Sequence, residues 1–75
     1  MELEEIKRQL QTLFLISGIS YKKRISKLQK IILSRKNIRK STLFYANKEK
    51  DILLKLQFII AGYELLNGNN YAKDQ

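Results

Sequence analysis

Between Ile6 and Lys48 the chain places twelve lysines and arginines and not one acid, and nine of the twelve fall between Lys22 and Lys40. Lys22, Lys23, Lys27 and Lys30 recur at intervals that project them from one side of a helix, and Arg35, Arg39 and Lys40 extend the run. A row of cations at such spacing suits the phosphate backbone of a nucleic acid, where each cation that meets a phosphate releases a condensed counterion. Ser26 and Ser34 fall on the same side and would donate to phosphate oxygens. Charge runs are more often solvated outer faces. Solvated faces, however, usually mix the two signs, and this stretch carries only one.

Other chemistries find little support. The chain has no histidine and no cysteine, which removes the commonest general base, the soft metal ligands and the thiol nucleophile together. Of the seven acids, Glu2, Glu4, Glu5, Glu49 and Asp51 read as first-turn residues of helices, and Asp74 lies near the end. Glu64 stands on the edge of an apolar stretch, where a solvated carboxylate is expected. No glycine-rich phosphate loop occurs. The expectation is therefore a protein that is not an enzyme, with no cofactor, no metal site and no small-molecule substrate.

The elements that must carry these cations are legible from period and punctuation. Leu3, Ile6, Leu10, Leu13 and Phe14 keep a helical period, and Ser17-Gly18 ends that first helix. Ser20 is a good N-cap for a second helix running to about Lys36, with Tyr21, Ile25, Leu28 and Ile32 on its apolar line. Three cations, Lys22 to Arg24, then sit against the positive end of the helix dipole, which costs a few tenths of a kcal/mol each. Over 37–46 the choice lies between a separate short helix capped by Asn37 and a kinked continuation. The separate helix is the better reading, since a strand there has no partner. A last helix is expected from Asn47 to the stop at Asn67-Gly68.

That last helix is the organising element. At about 100° per residue, Ile52, Leu56, Ile59, Tyr63 and Leu66 form one apolar stripe, and Leu54, Phe58, Ala61 and Leu65 form a second, nearly opposite. A helix apolar on two sides is normally buried on two sides. In a chain of 75 residues one face is expected to remain for a partner. The second stripe, Leu54, Phe58, Ala61 and Leu65, is assigned that role.

The predicted fold is all-α, a small three- or four-helix bundle with short connections. It comprises a single domain over 1–68 and a disordered tail over 69–75, which carries little apolar surface. No apolar run approaches the ~20 residues of a membrane span, and the acidic start is unlike a signal peptide, so a soluble cytoplasmic protein is expected. A net charge of +8 concerns partners rather than fold. A short helix pair at 20–46 resembles a helix-turn-helix only weakly, because the second member offers few base-reading side chains. A single-strand stacking platform is equally weak, since Phe44 and Tyr45 read as core. The functional expectation is a basic helical module that contacts the phosphate backbone of DNA or RNA without sequence preference. It would act as a dimer or as an accessory subunit of a replication or repair enzyme. The alternative is an inhibitor or immunity-type factor whose basic face meets an acidic protein.

Overall fold

The computed structural model describes residues 2–74. Four helices follow one another through short turns: α1 (Leu3–Ser17), α2 (Tyr21–Leu33), α3 (Ile38–Lys48) and α4 (Ile52–Leu66). A single 3-10 turn, Tyr71–Asp74, closes the described chain. No strand occurs among the described residues. The all-α bundle is thus the four-helix form, and 37–46 belongs to a helix of its own.

Local chemistry explains most of the boundaries. The Ser20 side chain accepts from the Lys23 amide, and the Asn37 side chain accepts from the Lys40 amide at 2.9 Å. Gly18 takes φ 74° and Gly68 φ 84°, the left-handed conformation that terminates α1 and redirects the chain after α4. Two boundaries differ from the sequence reading. α2 stops at Leu33 instead of Lys36, because Ser34 and Arg35 turn back to accept no further helical register; their amides bond Ile31 and Ile32. Asn47 is an interior residue of α3, and the cap of α4 is Asp51, whose Oδ1 accepts from the Leu53 amide at 2.9 Å.

The core joins all four helices. Leu10 and Phe14 come from α1, Ile25, Leu28 and Ile32 from α2, Ala46 from α3, and Phe58, Ile60, Ala61 and Leu65 from α4. Burying a leucine, isoleucine or phenylalanine side chain contributes about 1.5–3 kcal/mol, and these large side chains come from three of the helices. α3 supplies instead a ring, Tyr45, which stacks on Phe58 with centroids 5.6 Å apart. It also lies close to α4: a Cβ added at Gly62 would stand 2.7 Å from Thr42 Cβ, inside van der Waals contact. Only glycine permits that approach.

The two stripes of α4 exchange the roles expected of them. Phe58, Ala61 and Leu65 are buried in the chain's own core, with Phe58 4% exposed, and Leu54 packs against that core. They are not a face left open for a partner. The open face is the other stripe, where Ile52, Tyr63 and Leu66 are exposed and Leu56 and Ile59 are half-buried. Both stripes have the same period, so periodicity identifies two apolar faces without ranking them. What ranks them is where α1, α2 and α3 dock.

The C-terminal segment is also corrected. Asn69 to Asp74 form no disordered tail but return along α2. Buried Gln29 donates from Nε2 to the Asn69 carbonyl at 3.0 Å and accepts at Oε1 from the Ala72 amide at 3.1 Å. Tyr71 donates from its hydroxyl to Glu64 Oε2 at 3.1 Å. The segment is polar, but a buried amide gives it hydrogen-bond partners that composition does not reveal. Gln75 lies outside the described residues.

Glu64 itself is buried and not a solvated edge residue. Its Oε1 is 2.5 Å from Lys7 Nζ on α1, so one carboxylate ties α1 and the 3-10 turn to α4. The pair raises the Lys7 ammonium above its ordinary range, chiefly through this hydrogen bond. Tyr21 lies nearby with its hydroxyl buried and unpartnered, and burial, reinforced by the Glu64 charge, pushes its phenol well up.

Candidate nucleic-acid interface

All seven expected phosphate contacts, Lys22, Lys23, Lys27, Lys30, Arg35, Arg39 and Lys40, are exposed, but they occupy several surroundings. Lys23 and Lys27 line one concavity together with Arg24, Gly18, Ile19 and Ser20, at the turn between α1 and α2. Lys30 follows a turn later on the same outer face of α2, and neither Lys23 nor Lys27 has an acidic partner among the described residues. Arg24, on the same first turn of α2, is half-buried. Its Nε donates to Gln57 Oε1 at 3.3 Å, which fixes the guanidinium stem against α4.

Lys22 departs from this row. Its ammonium lies over the Tyr71 ring, 5.9 Å from the centroid, because the returning C-terminal segment occupies that flank of α2. Ser26 departs from it as well. It is buried with its Oγ unpartnered, and therefore cannot serve as the phosphate donor expected of it. Ser34 is exposed, but its hydroxyl donates to the Ile31 carbonyl at 2.6 Å.

Arg35 belongs to a second cluster. Its guanidinium stands 4.1 Å above the Phe44 ring and 5.4 Å from the Tyr45 ring, and Nε donates to the Tyr45 hydroxyl at 3.4 Å. Lys48 covers Phe44 as well, at 5.0 Å. Hydrogen bonds from Arg35 and Ser34 lower the Tyr45 phenol below its ordinary range. Phe44 was read as core; it is instead half-exposed and carries two cations on its ring. The mixture of aromatic and basic residues here arises across the α2–α3 turn, and residue spacing alone gave no sign of it. Arg39 lies elsewhere again, in a shallow apolar groove between α3 and α4 formed with Thr42, Leu43, Ile59, Gly62, Tyr63 and Leu66. Lys40 is exposed on the first turn of α3.

Fold and surface together define a class: a small all-α bundle with a cationic face on α2 and an apolar face on α4. The chain matches no protein-family model, no curated protein and no solved structure. Among the described residues no helix is long and apolar enough to cross a membrane.

Proposed function

We propose that this protein is a nucleic-acid-binding module that holds a phosphate backbone against the outer face of α2. The observation that carries the reading is the row Lys23, Lys27 and Lys30, exposed along one helix face with Arg24 beside its start. From Lys23 to Lys30 the helix rises ~10 Å at about 1.5 Å per residue. That length spans about three phosphates at ~3.4 Å of axial rise per strand. The three cations thus match a short stretch of backbone, a contact that positions nucleic acid without reading its bases. Arg35, held on the Phe44 and Tyr45 rings, and Lys40, on α3, stand outside this row, and Lys22 contributes less because its ammonium leans on Tyr71.

Fluorescence anisotropy with a labelled duplex and a labelled single strand tests the proposal. Affinity should fall with salt at a log-log slope of about −3, near −0.9 per phosphate contact. The double variant Lys27→Gln/Lys30→Gln should weaken binding to all sequences alike and reduce the slope by about two. Lys22→Gln should change it far less. Absence of binding to either probe at micromolar protein and low salt would refute the reading, and an acidic protein surface would then become the better partner.

A further inference from the structure

A different surface carries a second inference, independent of the nucleic-acid reading. The outward stripe of α4, in which Ile52, Tyr63 and Leu66 are exposed and Leu56 and Ile59 half-buried, continues onto α3 at Leu43, which is 54% exposed. Isolated apolar side chains at a surface need no explanation, but a contiguous row along a whole helix marks an interaction face. Between the two helices lies the apolar groove floored by Gly62 and Thr42, with Arg39 at its rim.

We propose that this face pairs with the same face of a second copy, α4 lying antiparallel on α4 about a twofold axis at Ile59. The residues are complementary to themselves in that arrangement. Ile59 is the midpoint between Ile52 and Leu66, so the two exposed ends of the stripe meet each other. Leu56 of one copy falls opposite Gly62 of the other, over the apolar groove between α3 and α4. Lys55 falls opposite Tyr63 and can lay its stem across the ring.

Charge gives a second reason for choosing a copy of the same chain. The twofold axis lies in the plane of the interface, so α3 of one copy also faces α3 of the other. Arg39, beside Leu66 and Tyr63, therefore meets the turn before α4 of its partner, which carries Glu49 and Asp51 against a single cation, Lys50. Asp51 uses Oδ1 to cap α4, which leaves its second oxygen for this contact. The symmetry makes the pairing twice. An isologous interface needs this kind of self-complementarity, apolar against apolar and positive against negative across the axis. With +8 on each copy and a compact contact face, association in the micromolar range is expected. Each dimer would then carry two α2 faces, both outside the interface.

Disulfide trapping tests the geometry directly, because the native chain has no cysteine. Ile59→Cys should cross-link to itself on mild oxidation, since residues at the axis meet. Leu66→Cys should not, because its two copies stand ~21 Å apart at about 1.5 Å per residue, far beyond the ~7 Å that a disulfide spans between Cα atoms. A mixture of Ile52→Cys and Leu66→Cys should yield the mixed dimer. Sedimentation velocity of the native protein should show a monomer–dimer equilibrium that Tyr63→Glu abolishes, with the helical circular dichroism retained because that side chain is exposed. Arg39→Glu should weaken association by about tenfold, as reversal of a rim charge does. A native protein that stays monomeric up to high micromolar concentration would overturn the proposal. So would a dimer in which Ile59→Cys fails to cross-link, or one that Tyr63→Glu leaves intact.

Discussion

Replacing Gly62 with alanine sets two effects of opposite sign against each other. In an exposed helix interior the change stabilises, because alanine exceeds glycine in helix propensity by about 1 kcal/mol. Here the new Cβ would overlap Thr42, 2.7 Å from its Cβ and nearer still to its hydroxyl and methyl. Carbon atoms pack at about 3.5–4.0 Å, so α3 must move away from α4 by about 1 Å. Overpacking of that kind costs about 1–3 kcal/mol, and the shift also loosens Ala46 and the Tyr45–Phe58 stack. Gly62→Ala is therefore expected to destabilise by about 1–2 kcal/mol, a fall of roughly 5–15 °C in Tm for a domain of this size. Thermal unfolding followed by circular dichroism measures it. Thr42→Ala removes the hydroxyl and the methyl, and the Thr42 hydroxyl bonds only to its own helix at Ile38. The double variant should accordingly lose about 1 kcal/mol less than the sum of the single variants. Strict additivity, or a Gly62→Ala protein more stable than the native one, would refute the close approach of α3 and α4.

Three further outcomes follow from buried polar groups. Stability should fall above about pH 10, because Lys7 and Tyr21 act in the same direction, while the lowered Tyr45 phenol opposes them only from a solvent-screened surface position. The Lys7 ammonium is held above its unfolded value, so its contribution is complete below that value and is lost as pH rises through the folded one. The Tyr21 phenol resists ionisation in the folded state, whereas the unfolded chain gives up that proton from about pH 10. Urea unfolding between pH 7 and 11 reads both effects, and Tyr21→Phe should leave neutral stability unchanged or slightly improved, since its hydroxyl has no partner, while flattening the alkaline decline. Glu64→Gln keeps an acceptor for Tyr71 but removes the charge opposite Lys7; Lys7 should then titrate nearer its ordinary range by NMR, and an unchanged Lys7 would dismiss the ion pair. Gln29→Leu removes two hydrogen bonds to the C-terminal segment, so the Ala72 amide, left with Asn70 Oδ1 as acceptor, should lose part of its hydrogen-exchange protection while α2 keeps its own.

The sequence by itself determined the element types and most of their ends. Capping is local chemistry, and Ser20, Asn37 and the left-handed glycines at 18 and 68 act on amides and carbonyls within a few residues of themselves. The helical period was equally legible, as was the segregation of charge onto α2, since both depend only on spacing. What the tertiary structure decided was which of two equivalent faces goes inward. On α4 both stripes satisfy the same period, and the docking of α1, α2 and α3 buried Phe58, Ala61 and Leu65 and left Tyr63 and Leu66 outside. The burial of Glu64 and the return of the C-terminal segment were hidden for a related reason. A carboxylate 57 positions from its lysine, and a glutamine 43 positions from the amide it accepts from, are paired only once the helices pack. The cationic row was divided in the same way, because Tyr71 draws Lys22 aside and Phe44 holds Arg35 at the α2–α3 turn. Local patterns fix what a residue can do; the partner that three-dimensional packing brings to it settles what it does.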